Sequence, residues 1–184
     1  MKLKRLDGFG ITFKGTGSYL PQQVLSNHDL SRIVNTNDNW IKTRTGISNR
    51  RISKTGEDVS NMGYEAASNA LNMANWAADS VDLIILATST PSDLFGSAPI
   101  IQSRLGAKNA FAFDLTAACS GFLFALITAS QYLKAGSYKR ALVIGADQLS
   151  SYVDWSDRGS CILFGDGAGA IAIESSMDVN NLCG

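Results

Sequence analysis

The run spanning residues 109–136, NAFAFDLTAACSGFLFALITASQYLKAG, constrains the fold more than any other stretch. Residues 110–115 read as a short apolar strand, Thr116, Ala117 and Ala118 as a turn, and the remainder as a helix. Gly136 is placed to stop that helix in the left-handed conformation that a Cβ disfavours. Phe122, Leu123, Phe124, Leu126, Ile127, Tyr132 and Leu133 leave no polar stripe along it. A helix that is apolar all round is a buried one. It is too short and too interrupted to span a bilayer.

Cys119 falls where the strand ends and the helix begins. The first amides of a helix lack intrahelical partners and the macrodipole is positive there, so a thiolate at such a place is favoured. That is a route to a nucleophile at neutral pH. Free cysteine is also among the most buried residue types and often only fills a core, so position alone leaves both roles open. A cysteine at the mouth of a buried helix is nonetheless an active-site layout.

At 184 residues the chain suffices for one domain with a sizeable core, and 45% hydrophobic against 17% charged residues reads as globular. Lysine plus arginine equals aspartate plus glutamate at 16 each, so charge argues for no nucleic acid or other polyanionic partner. Cys119, Cys161 and Cys183 show no C-x-x-C spacing, and there is one histidine. No zinc site is expected, and a disulfide framework is disfavoured, as suits a reducing cytosol. The N-terminal MKLKRLDGFGITF lacks the apolar core of a signal peptide, and no stretch has transmembrane length. A cytoplasmic protein is expected.

Along the chain, residues 11–19 suggest a first strand, with Gly15, Gly17 and Pro21 as punctuation. Asn27 is placed to cap a helix carrying Leu30, Ile33 and Val34, with His28 solvated in its first turn. Lys42, Arg44, Arg50, Arg51 and Lys54 then collect just after Trp40. This is either the equipment for a phosphorylated ligand with a flat ring or a solvated charged loop. Residues 60–77 have the helical period, and 81–87 form an apolar run as in a sheet covered on both faces. After a loop containing Phe95, helix resumes over 100–105. Residues 141–146 read as another buried strand, and 161–164 with 170–173 as a hairpin-like pair. Alternating strands and helices predict an α/β fold with a mostly parallel sheet. The GDGAGA of 165–170 opens no helix and lacks the lysine of a phosphate loop, so nucleoside triphosphate chemistry is rejected.

Five segments together are highly specific: GTGSYLPQQVLSN (15–27), DNWIKTRTGI (38–47), DLTAACSGF (114–122), ALVIGAD (141–147) and DRGSCILFGDGAGA (157–170). With these the chain resembles the N-terminal half of a β-ketoacyl-acyl carrier protein synthase III, a thiolase-like condensing enzyme. Chalcone synthases and hydroxymethylglutaryl-CoA synthases share the nucleophile context but match less elsewhere. The resemblance implies that residues 1–184 form one βαβ-type half of a five-layered αβαβα architecture, the C-terminal half being absent. It places Cys119 on the acyl-accepting cysteine. Trp40 and Arg158 fall on the pair that sandwiches the coenzyme A adenine, with Thr36 and Arg44 contacting the same end. Phe95 falls on the residue that lines the partner's acyl pocket across a homodimer. The family's catalytic histidine and asparagine have no counterpart here.

The activity so implied initiates fatty acid synthesis. Cys119 attacks an acyl-CoA, acetyl-CoA being expected, and the acyl-enzyme condenses with malonyl-acyl carrier protein, with no cofactor beyond the thioester. The basic segment 42–54 would help dock the phosphopantetheine or the acidic carrier protein. Two other classes stay open: a related acyl transferase or polyketide starter-loading enzyme, and a non-catalytic fragment or pairing subunit.

Overall fold

The computed structural model describes residues 10–176. It opens with β1 (Gly10–Tyr19), β2 (Gln23–Ser26), α1 (Asn27–Leu30), α2 (Asp38–Thr45) and β3 (Asn49–Ile52). There follow α3 (Val59–Ala74), β4 (Leu83–Ala87), α4 (Ala98–Leu105), β5 (Phe111–Leu115) and α5 (Gly121–Lys134). The described chain ends with β6 (Arg140–Gln148), α6 (Arg158–Cys161) and β7 (Asp166–Ser176).

Five strands form one sheet in the order β1-β7-β6-β4-β5. β4 runs parallel to β5 and β6, whereas β7 is antiparallel to both β6 and β1, so the sheet is mixed rather than mostly parallel. Its two faces follow the alternation of side chains along each strand. Ile84, Leu86, Leu142 and Ile144 pack with Met62 and Ala66 of α3 and Ile101 of α4. Leu83, Ile85 and Val143 pack with Ala125, Ala129 and Leu133 of α5. With both faces covered, all of β4 is buried, which its unbroken LIILA demands. Each such leucine or isoleucine contributes roughly 1.5–3 kcal/mol through burial.

β1 lies so close to α3 that a Cβ on Gly17 would be driven into the Ala66 carbonyl oxygen, and one on Gly15 into that of Ala70. These two glycines are places of helix–strand contact, not strand ends. Asp58 caps α3, accepting from the Asn61 amide at 2.8 Å. For α4 a similar service comes from β5, whose Asp114 carboxylate accepts from the Ser97 and Ala98 amides, both at 2.7 Å.

A second, smaller body stands beside the sheet. β2 and β3 pair antiparallel, and Leu30, Ile41, Cys161 and Ile162 form its core. Within it, Ser26 caps α1 in a capping box with Asp29, so Asn27 is not the cap, and α1 stops at Leu30 before Ile33 and Val34. Residues 161–164 form no strand. Cys161 ends the four-residue α6 and 162–164 follow it, and β7 pairs with β6 and β1 instead of folding back in a hairpin. The small residues of GDGAGAIA let β7 lie flat between two neighbours, and this long-range pairing overrides the local turn reading. Gly136 does take the left-handed conformation after α5, with φ of 78°. α5 itself is buried on one side only. Phe122, Leu123, Phe124, Ile127 and Tyr132 are each more than a third exposed. No helix among the described residues is long and apolar enough to cross a membrane.

Candidate active site

The segment joining β5 to α5 turns sharply. Ala118 has a φ of 46°, a left-handed conformation that costs a residue bearing a Cβ and that lifts Cys119 off the sheet. Cys119 lies in a single 3-10 turn, Ala118–Ser120, and is exposed. Ser120 makes no side-chain capping bond to α5, so no side-chain oxygen occupies the amides at the start of that helix.

Cys119 faces a cleft of about 260 Å³ lined at the C-terminal ends of two parallel strands, by Ala87 of β4 with Thr88 just beyond it and by Gly145 to Asp147 of β6. This is where an open α/β sheet offers a crevice. Gly145 leaves room for the Phe122 ring, because a Cβ there would lie 3.0 Å from Phe122 Cδ2. Asp147 ties the loop after β4 to the cleft wall, one oxygen accepting from the Ser89 amide at 2.7 Å and from the Thr90 hydroxyl at 3.2 Å. Nothing in the sequence pattern distinguished Asp147 or Asp114, each a lone acid at the end of an apolar strand.

A second constellation sits on the small body. The guanidinium carbons of Arg44 and Arg158 stand 4.4 and 4.5 Å from the centroid of the Trp40 ring. Arg44 is one turn along α2 from Trp40, and α2 is capped by Asn37, which accepts from the Trp40 amide at 2.8 Å. Arg158 arrives from 118 residues later on α6, capped by Asp157. The Ser160 hydroxyl and the Gly159 amide hold the Asp157 carboxyl below the usual carboxylate range. Thr36 precedes this cap, and its hydroxyl is buried with no partner among the described residues. The structure thus brings Trp40, Arg44 and Arg158 into contact, with Thr36 nearby.

It does not do so for every candidate. Phe95 is 92% exposed on the loop before α4, beside Leu94 at 99%, and lines neither constellation. The basic segment is not one ligand-facing cluster either. Arg50 is only 5% exposed, and Arg51 donates to the Pro21 carbonyl at 3.0 Å, leaving Lys42, Arg44 and Lys54 in solvent. His28 is exposed on α1, with its Nε2 at 3.2 Å from an Arg32 nitrogen. Cys161 is fully buried, and burial pushes its thiol above the ordinary value.

With this geometry in view, comparison with known proteins is decisive. A family profile described as 3-oxoacyl-[acyl-carrier-protein (ACP)] synthase III matches residues 113–183, which begin within β5 and include Cys119 and Arg158. The chain is 69% identical over 179 residues to a protein of Prochlorococcus marinus subsp. pastoris named β-ketoacyl-[acyl-carrier-protein] synthase III, covering 97% of this chain and 53% of the relative. The chain is similar to synthase III proteins along nearly its whole length.

Solved structures agree. The 3-oxoacyl-[acyl-carrier-protein] synthase III of Aquifex aeolicus superposes with a TM-score of 0.89 at 52% identity, over 92% of this chain and 55% of that one. The priming β-ketosynthase of the R1128 polyketide pathway gives a TM-score of 0.90 at 34% identity, over 96% of this chain and 53% of that one. The fold is thiolase-like. The chain spans about half the length of the curated relatives it matches, 53% and 55% of the first two.

Proposed function

We propose that this chain supplies the nucleophile and the coenzyme A clamp of a condensing enzyme that starts acyl chains. The observation that carries the reading is Cys119, exposed on a left-handed elbow and opening into a cleft at the strand ends. The Cys119 thiolate adds to the carbonyl of an acyl-CoA, acetyl-CoA being the expected one. The Cys119 amide donates to the resulting oxyanion, which collapses and expels the coenzyme A thiolate. The acyl-enzyme then meets the carbanion left when malonyl-acyl carrier protein loses carbon dioxide. That second step needs donors beyond this chain's one histidine, His28, which lies exposed on α1. The relatives' further length is where those donors are expected.

The adenine end of coenzyme A fits between Trp40 and Arg158. Two stacked layers need about 7 Å, against the 4.5 Å now separating guanidinium and ring. Arg158 moves out to admit it, since its backbone partner is a single Asn35 carbonyl at 3.4 Å. Arg44 stays on the indole, and the unpaired Thr36 hydroxyl becomes available to the nucleotide. Phe95, standing free, suits entry into a second copy's acyl pocket in a homodimer.

The test is acylation of this chain by acetyl-CoA, read by intact mass. A single acetyl adduct that disappears in Cys119→Ser is the expected result; an adduct that survives that change places the nucleophile elsewhere. Replacing Trp40 by Ala weakens coenzyme A binding roughly fivefold, the equivalent of about 1 kcal/mol of stacking. The likeness to a priming β-ketosynthase favours a second reading, polyketide starter loading, which longer acyl-CoA donors outcompeting acetyl-CoA would indicate.

A further inference from the structure

Arg50 has no part in the reading above, yet it is a buried arginine on β3 with no ion-pair partner among the described residues. Arginine is almost never fully buried unless paired, because removing the charge from water costs several kcal/mol. Its bonds show what the guanidinium does there. Its Nη1 donates to the Leu25 carbonyl on β2 at 3.2 Å, and its Nη2 donates to Asn27 Oδ1 at 2.9 Å and to the Ile162 carbonyl at 2.8 Å. Asn27 passes the link onward, its amide nitrogen donating to Asp38 Oδ1 at 3.0 Å in the first turn of α2. Ile162 is the residue directly after α6.

Through Asn27, Arg50 therefore links the helix that carries Trp40 and Arg44 to the residue that follows the helix carrying Arg158, two segments over a hundred residues apart. We infer that Arg50 is a positioning residue that sets the separation of the two arms of the nucleotide clamp. This rests on the coenzyme A reading of Trp40 and Arg158. A planar fork is needed because the acceptors lie on three different segments. Lysine keeps the charge, but its donors share a single nitrogen and cannot span the acceptors that Nη1 and Nη2 reach separately. The acceptors of Arg50 itself are uncharged carbonyl and amide oxygens, and the one carboxylate in the link is that of Asp38.

The experiment compares this 184-residue chain with Arg50→Lys, titrating coenzyme A by calorimetry and following alkylation of Cys119 by iodoacetamide. The expected result is about a tenfold weaker coenzyme A affinity, the size of one charge-assisted hydrogen bond, with Cys119 alkylation unchanged at a temperature where both chains are folded. Where Arg50→Lys fails to fold, Asn27→Ser removes the Arg50–Asn27–Asp38 branch, with the Asn27 bond to the Ile47 carbonyl, leaves the Arg50 bonds to Leu25 and Ile162, and is expected to give the same selective loss in smaller measure. In a Trp40→Ala background Arg50→Lys adds no further loss, because both act through one clamp. Additive losses, parallel loss of affinity and Cys119 reactivity, or unchanged affinity in Arg50→Lys each overturn the positioning role. Unchanged affinity in Trp40→Ala alone overturns the clamp itself, which separates the two failures.

Discussion

At the scale of single residues, the two described cysteines have opposite environments. Cys119 is exposed beyond β5, whereas Cys161 is closed within the core of the small body. Iodoacetamide at neutral pH is expected to label Cys119 well before Cys161, read by peptide mapping; faster labelling of Cys161 would contradict the site. Burial also makes Cys161 a source of pH dependence. Its folded thiol ionises above the unfolded value, so its contribution to stability is fully present below the unfolded pKa, about 8.5. That contribution is lost as pH rises through the raised folded value, because the unfolded thiol gives up its proton first. The melting temperature should therefore fall less between pH 8 and 10 in Cys161→Ala than in the parent chain. Equal slopes would remove the thiol from that account.

Among elements, the β5–α5 elbow is the strained one. Its geometry needs a left-handed Ala118, which β-branched residues tolerate worst. Ala118→Val is expected to cost about 1–2 kcal/mol in denaturant unfolding and to slow Cys119 alkylation by tilting the 3-10 turn. A variant as stable and as reactive as the parent would mean the elbow relaxes freely. The neighbouring elements are held by side chains that cross between them. Asp114 of β5 fixes the start of α4, and Asp147 of β6 fixes the loop after β4.

At the scale of the whole molecule, the helix that organises the chain remains half uncovered. Phe122, Leu123, Phe124 and Ile127 on α5 form an open apolar face, with Leu123 at 56% exposure. Contiguous surfaces of this kind drive association. Sedimentation of the 184-residue chain is expected to show self-association that Leu123→Gln with Ile127→Gln reduces, with circular dichroism unchanged. A monomer at high concentration would show that the face is tolerated in water.

Much of this was legible in residue order. The apolar run of β4, the turn before Cys119, the amphipathic α3 and the stop at Gly136 rest on local period and backbone preference, which neighbouring residues carry. Trp40 and Arg158 could be paired only through a resemblance, since nothing local links positions 118 residues apart. Long-range pairing put β7 between β6 and β1, against the hairpin that its glycines suggest. It also sent Arg50 inward while Lys42, Arg44 and Lys54 of the same basic run stayed exposed. A strand's partner and a side chain's burial depend on which distant segments pack against them. Periodicity reports on the half of an interface that the local chain provides, and the other half arrives only on folding.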